Sequence, residues 1–209
     1  MSESSSPKRK RFAQAARRAA IKLSKEQGKP ITLAGLARTQ AAPSTQSHGP
    51  SEIIPRLYLG DYWDACGEAQ LRSLGVTHIL SLVETSPPFA FAEEYRASLK
   101  TIHVPLRDNF RTNIAKHLDR TTEFIQKALK NPSSVVLVHC LQGVSRSPTV
   151  IAGYLLATST DFNSAESVLS FLKEKRYIVS PNLAFVSQLN DYATICRERR
   201  GSKPIWSLM

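Results

Sequence analysis

The sequence lacks the features of several common protein classes. Three cysteines among 209 residues are too few, and odd in number, for a disulfide scaffold, which favours a reducing, intracellular compartment. No run approaches the roughly 18 consecutive apolar residues of a membrane span, and no apolar stretch near the N-terminus is typical of a secretory signal. Cysteine and histidine pairs at metal-binding spacing are missing, so we expect no metal and no other cofactor.

Acidic residues are scarce in the first quarter of the chain. Residues 1–50 carry ten Lys and Arg against two acids, whereas residues 51–209 carry 18 against 15. Large apolar residues are also sparse in this basic part, which therefore cannot bury enough surface to offset the entropy of ordering. We expect a basic disordered segment over residues 1–52, one folded domain over residues 53–197 and a tail over residues 198–209.

The basic segment contains a compact cluster of cations. Residues 7–11 read P-K-R-K-R, and Arg17 and Arg18 follow after a short spacer. Such a cluster is typical of a nuclear-localisation signal, so we expect a location in the nucleus and/or the cytoplasm. A solvated tail, a transit peptide, and contact with a membrane surface or nucleic acid remain alternatives.

Apolar periodicity predicts alternating strands and helices from residue 53 onward. The run V-V-L-V at residues 135–138 is typical of a central parallel strand, because such a strand is buried on both faces. The alternation favours an α/β domain with a central, mostly parallel sheet flanked by helices. Asn163 and Glu166 resemble a capping box, and one apolar helix face is predicted by Leu183, Val186, Leu189, Ala193 and Cys196. The predicted strands are 56–60, 76–83, 100–106 and 134–138, and the predicted helices are 67–74, 112–130, 147–158, 163–175 and 183–197.

The segment V-H-C-L-Q-G-V-S-R-S at residues 138–147 carries the strongest chemical signal. It follows a buried strand and enters a helix, so its backbone amides and the helix N-terminus form an anion site. Gly143 gives this loop backbone freedom, and the fork of Arg146 can bind two phosphate oxygens. These groups should lower the pKa of Cys140 and make its thiolate a nucleophile for phosphoryl transfer. Cys66 and Cys196, without such neighbours, are predicted to be ordinary core residues.

This H-C-x-x-G-x-x-R-S pattern resembles the signature of the cysteine-dependent protein phosphatases, with the atypical dual-specificity subfamily as the best match. The resemblance extends to L-Y-L-G at residues 57–60, L-G-V-T-H-I-L at residues 74–80 and S-P-N-L-A-F at residues 180–185. It covers about residues 53–196. It implies a protein tyrosine phosphatase-like fold, a shallow phosphate cleft and metal-independent hydrolysis through a phosphocysteine intermediate.

A phosphoryl transfer of this kind also needs an acid for the leaving oxygen. Asp108 follows a predicted strand and precedes Cys140 by a distance comparable to that of the general acid in the resembling family. We therefore expect it to protonate the leaving group and later to activate water. A simple turn residue is the alternative interpretation of Asp108, and Asp119 is a rival that falls inside a predicted helix.

Other residues receive supporting roles, most of them from the resemblance. Ser147 would donate to the Cys140 sulfur, or cap the helix that it begins. His139 would orient the loop through a backbone hydrogen bond, and Asn182 would either brace the loop or cap a helix. The predicted substrate-binding positions are Leu141, Gln142, Gly143, Val144, Ser145 and Arg146.

The variable positions of the pattern are Leu141, Gln142, Val144 and Ser145. None of them is basic, which argues against a polyanionic lipid as substrate. We therefore expect a phosphoprotein phosphatase acting on phosphotyrosine and on phosphoserine and phosphothreonine. Its partner would be a phosphorylated protein, with a kinase as one candidate, and nucleic acid is not expected. The alternatives are a phosphoprotein-binding module of low turnover and a phosphatase of RNA 5′ ends or of a phosphoglucan. The oligomeric state is left open.

Overall fold

A computed structural model describes residues 49–87 and 89–201 of the chain. The predicted localisation cluster, almost all of the predicted basic segment and most of the predicted C-terminal tail lie outside the described residues. No helix within the described ranges is long and apolar enough to cross a membrane.

The described residues form five strands and seven helices that alternate along much of the chain. Four of the strands lie close to the predicted positions, although each is shorter than the predicted strand. The elements are β1 (Ser51–Ile54), β2 (Leu57–Gly60), α1 (Tyr62–Cys66), α2 (Glu68–Ser73), β3 (His78–Ser81), α3 (Glu93–Ser98), β4 (Lys100–His103), α4 (Ala115–Leu129), β5 (Val136–His139), α5 (Arg146–Thr158), α6 (Ala165–Lys175) and α7 (Leu183–Gly201).

The five strands form one sheet in the order β1-β2-β5-β3-β4. All pairs are parallel except β1 with β2, which is antiparallel and contains an irregularity between Glu52 and Ile54. Strand β5 lies in the centre and is fully buried, as its uninterrupted apolar run predicts. The prediction of a mostly parallel sheet flanked by helices is therefore confirmed.

Side chains of β5 alternate between two hydrophobic cores, one on each face of the sheet. Val136 and Val138 belong to the larger core, which is built with α4, α5, α6 and α7. Leu137 belongs to a smaller core that includes Leu71 of α2 and Tyr95 of α3. Helix α5 is buried along most of its length because it packs against α4, α6 and α7 as well as the sheet. This packing holds the start of α5 next to the end of β5.

Two local predictions are wrong. The capping box of α6 is formed by Ser164 and Ser167 rather than by Asn163 and Glu166, since the Ser164 side chain accepts the Ser167 amide at 3.2 Å. Leu183 was predicted on the buried face of the last helix, but it is 79% exposed because Phe185, two residues further on, occupies that face instead. Strand β1 and helices α1 and α3 were not predicted at all.

Candidate active site

A six-residue loop joins β5 to α5 and brings the predicted site residues together. We call residues 140–145 the signature loop. Gly143 has a φ of +68°, and a Cβ at this position would lie 2.9 Å from the Gly60 carbonyl oxygen and 3.0 Å from Arg176 Nη2. The positive φ and this close approach together require glycine. The loop can therefore pack directly against the end of β2.

Cys140 lies at the floor of the signature loop, with only 1% of its surface exposed. Its Sγ accepts hydrogen bonds from the Gly143 amide at 3.3 Å and from Ser147 Oγ at 3.2 Å. Burial alone would raise the pKa of the thiol. The charge of Arg146 and the hydrogen bonds from Ser147 and from the loop amides outweigh burial, so the pKa is lowered overall.

Arg146 begins α5 and is almost fully buried beside the loop. Its Nη1 donates to the Leu106 carbonyl oxygen at 3.0 Å, and its Nε lies 3.6 Å from Asp108 Oδ2. Within the described residues, the buried Nε has no hydrogen-bond partner. A buried cationic donor without a partner is well suited to an anionic ligand, because a charged ligand would satisfy it.

Asp108 follows β4 and reaches the same site. Its Oδ1 accepts hydrogen bonds from Ser145 Oγ and Asn182 Nδ2, both at 2.8 Å. Asn182 contacts both the loop and the start of α7, since its backbone amide donates to Ser145 Oγ at 3.2 Å and its Oδ1 accepts the Phe185 amide at 3.0 Å. The Asp108 side chain remains one-third exposed (33%), so solvent and a leaving group can reach it.

Asp119, the predicted rival acid, has different partners. It lies on α4, where its carboxylate accepts hydrogen bonds from Arg199 and Tyr192, both at 2.8 Å to Oδ1. Arg199 also donates to Oδ2 at 3.1 Å. The structure therefore links Asp108, and not Asp119, to the signature loop.

His139 ends β5 directly before the nucleophile. Its Nδ1 lies 3.3 Å from the Cys140 carbonyl oxygen, which agrees with the predicted backbone contact, and its Nε2 lies 2.7 Å from Ser81 Oγ. Burial lowers the pKa of His139 to about 4, so the imidazole is neutral at physiological pH. A neutral ring held by two hydrogen bonds fits the predicted orienting role.

The remaining loop positions differ in their exposure. Leu141 and Gln142 are exposed, Val144 is half-buried and Ser145 is buried. The loop is anchored on two sides, because the Tyr62 amide donates to the Leu141 carbonyl oxygen at 3.3 Å and the Ser180 amide donates to the Val144 carbonyl oxygen at 2.9 Å.

Two charged residues beside the loop were not predicted as part of the site. Arg176 donates from Nη1 to the Gly49 carbonyl oxygen at 3.1 Å, and its Nη2 lies close to Gly143. Burial raises the pKa of Asp64 to about 6, although the Asp61 amide and the charge of Arg176 act in the opposite direction. No local motif marks these residues, because they reach the loop only through the tertiary fold. In the described part of the chain, no three His, Cys, Asp or Glu residues are grouped to hold a metal ion.

Comparisons with known proteins agree with this geometry. The family model of the dual specificity phosphatase catalytic domain matches residues 57–195. Mouse dual specificity protein phosphatase 8 is 34% identical over 166 residues, a match that covers 79% of this chain and 24% of the relative. Mouse dual specificity protein phosphatase 22 is 34% identical over 165 residues, which covers 75% of this chain and 85% of the relative.

Solved structures show the same fold. The crystal structure of DUSP15 superposes with a TM-score of 0.63 at 27% sequence identity, and the match covers 75% of this chain and 97% of that chain. The fold and the sequence match define a protein of the protein tyrosine phosphatase-like class. The chain belongs to the dual specificity phosphatase catalytic-domain family, so the predicted family and fold are confirmed. It spans about a quarter of the length of dual specificity protein phosphatase 8.

Proposed function

We propose that the domain hydrolyses phosphate monoesters on proteins, through a two-step displacement at Cys140. The observation that carries this proposal is the buried Cys140 sulfur, whose pKa is lowered beside a guanidinium whose Nε has no hydrogen-bond partner among the described residues. A thiolate at the floor of an anion site is positioned to attack phosphorus rather than merely to bind the phosphate. The proposed catalytic domain extends over residues 53–197, and helix α7 continues it to Gly201.

In the first step, Cys140 Sγ attacks phosphorus and the bond to the leaving oxygen breaks. The loop amides and Arg146 stabilise the charge on the equatorial oxygens. Asp108 donates its proton to the leaving oxygen, which departs as a neutral alcohol or phenol. The hydrogen bonds from Ser145 and Asn182 hold this carboxyl group in one orientation, next to Arg146.

In the second step, water hydrolyses the phosphocysteine. Asp108, now ionised, accepts a proton from the water, and the sulfur leaves as a thiolate. The Ser147 hydroxyl, 3.2 Å from Sγ, donates to the thiolate as it forms. Inorganic phosphate then leaves the loop, and the enzyme returns to its starting state without any cofactor.

The proposed substrates are phosphotyrosine and phosphoserine or phosphothreonine on proteins. The uncharged exposed loop residues Leu141 and Gln142 support a protein monoester over a polyphosphorylated lipid or an RNA end. A phosphorylated kinase is a candidate partner. The basic cluster at residues 7–11 supports a location in the nucleus and/or the cytoplasm.

Hydrolysis of an aryl phosphate in the presence of a chelator tests this proposal. We expect turnover by the wild type, loss of turnover in Cys140→Ser and strongly reduced turnover in Asp108→Asn. Asp119→Asn is the matched control, because it removes the charge of an aspartate that does not contact the loop, and it should retain turnover. Absent turnover with intact phosphopeptide binding would favour the binding module instead.

A further inference from the structure

Exposed apolar side chains are concentrated around the candidate active site. Within the described residues, six large apolar side chains are exposed, and five of them, including Tyr177, belong to segments that meet at the signature loop. We call four of these five the apolar rim: Trp63 (44% exposed), Phe110 (74%), Leu141 (56%) and Leu183 (79%). Single exposed apolar residues are common on protein surfaces, but several around one pocket mark a contact surface.

One side of the apolar rim is formed by the signature loop and helix α1. Leu141 follows the nucleophile Cys140 directly in the chain. Its carbonyl oxygen accepts the Tyr62 amide at 3.3 Å, which joins the start of α1 to the loop. Trp63 is the next residue of α1, and its ring packs edge-to-face on Tyr62 with the centroids 5.5 Å apart. These contacts fix Trp63 close to Leu141.

The other side of the apolar rim is formed around the proposed general acid. Phe110 follows Asp108 by two residues, in the loop that begins after β4. Leu183 follows Asn182, whose Nδ2 donates to Asp108 Oδ1 at 2.8 Å. Asp108 therefore joins the segments that carry Phe110 and Leu183, and it reaches the loop through Ser145 at 2.8 Å.

The exposed residues of the signature loop offer no charge to an acidic substrate segment. Leu141 and Gln142, the exposed loop residues, are uncharged. Arg107, which precedes Asp108, is paired with Glu84 at 3.3 Å between Nε and Oε2. A phosphate held at the loop floor fixes the phosphorylated residue of a polypeptide, so its neighbours in sequence must cross the opening. The segments that border the opening carry the four side chains of the apolar rim.

We propose that the apolar rim binds apolar side chains that flank the phosphorylated residue, so that the domain selects phosphoprotein segments with leucine or aromatic neighbours over segments with acidic neighbours. This inference rests on the proposed function, because it takes the phosphate to bind at the signature loop. The rim adds sequence preference by burying apolar surface that is exposed in the free enzyme.

Peptide binding to the Cys140→Ser variant tests the inference, since this variant should hold substrates without turnover. The probes are two fluorescent phosphotyrosine peptides of equal length, one with leucine and phenylalanine and one with aspartate and glutamate on both sides, each with its unphosphorylated counterpart. We expect the apolar phosphopeptide to bind about tenfold more tightly, as partial burial of one or two large side chains implies.

Added substitutions identify the responsible surface. In the Cys140→Ser background, Phe110→Ser together with Leu183→Ser should reduce the affinity ratio to about twofold or less. Ile195→Ser is the matched control, because Ile195 is also exposed (41%) but lies about 18 Å further along α7. This control should keep the ratio unchanged. Thermal unfolding checks that each variant is folded, and Leu183→Ala serves as a milder substitution.

Several results would overturn the inference. These are equal affinities for the two phosphopeptides, a ratio that survives loss of Phe110 and Leu183, and equally tight binding of the unphosphorylated peptides. Self-association that disappears in the double variant, with no change in the ratio, would assign the apolar rim to a second copy of the chain. Turnover of an aryl phosphate by the wild type is measured separately, so failure of the proposed function and failure of this inference give different results.

Discussion

Two regions of this domain each contain a buried cysteine and an aspartate, and the pKa shifts of both groups are opposite in the two regions. Beside the signature loop, the pKa of Cys140 is lowered and that of Asp64 is raised to about 6. Between α4 and α7, the pKa of Cys196 is raised and that of Asp119 is lowered. The cysteines are equally inaccessible, with 1% of Cys140 and 3% of Cys196 exposed.

The difference lies in how strongly hydrogen-bond donors and charges act against burial. Burial raises the pKa of both thiols, and at Cys140 a guanidinium and several hydrogen bonds outweigh it. At Cys196 two guanidiniums and the Tyr192 hydroxyl also lower the pKa, but burial prevails. In the same region the Asp119 carboxylate is stabilised by its hydrogen bonds, whereas one Asp64 oxygen has no hydrogen-bond partner among the described residues. The first region therefore favours a thiolate and the second a carboxylate.

Substituting each of the two cysteines gives the largest expected contrast in turnover. Cys140→Ser should reduce aryl phosphate turnover by about 10⁴-fold or more, because the nucleophile is lost. Cys196→Ala should leave turnover within about twofold, since its thiol is a core group with a raised pKa. Steady-state kinetics at neutral pH measure both. A comparable loss in Cys196→Ala would break the comparison.

The pH dependence of stability sharpens the contrast between the aspartates. The pKa of Asp64 is about 6 in the folded state, against 3.8 for a free aspartate. Between these two values Asp64 binds more protons in the folded than in the unfolded state, so its contribution to stability falls as pH rises through this window. At neutral pH the ionised Asp64 therefore lowers the free energy of unfolding by about 3 kcal/mol. Asp64→Asn should remove this cost, because its amide oxygen can still accept the Asp61 amide. Urea unfolding from about pH 2 to pH 7 measures it, a range that also covers the acid limb below pH 3.8.

Asp119 should act with the opposite sign in the same experiment. Its lowered pKa gives stability that is present above its unfolded value and is lost as the solution is acidified through the folded one. Asp119→Asn should therefore flatten the acid limb of the stability curve, whereas Asp64→Asn should steepen it. The same direction for both variants would contradict the proposed difference between the two regions.

Ser147 tests how the Cys140 thiolate is stabilised. Ser147→Ala removes the hydroxyl 3.2 Å from Sγ, so the pKa of Cys140 should rise and phosphocysteine hydrolysis should slow by about tenfold. The pH dependence of alkylation by iodoacetamide measures the first effect, and burst kinetics measure the second. The control is Ser73→Ala, an exposed hydroxyl on α2 that bonds only to the Gln70 carbonyl oxygen within the described residues. An unchanged alkylation profile in Ser147→Ala would argue against the hydrogen bond.

The smallest effect is expected at the exposed ion pair of Asp119 and Arg199. Their side chains are 60% and 57% exposed, so solvent screens the pair and its loss should cost about 0.5 kcal/mol. Arg199→Gln, measured by urea unfolding, should show this small loss and unchanged turnover. A loss of turnover would show that the two regions are coupled through α7.

The sequence predicted those features that depend on neighbours along the chain. The run before Cys140 predicted the central strand, and the spacing of Gly143 and Arg146 predicted a loop that turns its amides toward Cys140, as the Gly143 amide does. Asp108 could be proposed because it follows a strand. These features are local, so composition and spacing are enough to reveal them.

The features that escaped prediction depend on distant segments. Strand β1 is short and irregular and pairs only with β2, so its four residues did not stand out from the basic segment before them. Ser81 bonds to His139 because β3 and β5 are paired in parallel at these two residues, which no local pattern reveals. The exposure of Leu183 was missed because an apolar residue at helical spacing is usually buried.

The central position of β5 also has a consequence for how the chain acquires its reactivity. Within the sheet, His139 is aligned with Gly60 at the end of β2 and with Ser81 at the end of β3. Parallel strands far apart in sequence pair slowly, because a long loop must close before any contact forms. The loop around Cys140 also depends on this alignment, because Gly143 packs against Gly60 at the end of β2. We therefore expect the thiol to become reactive only late in folding.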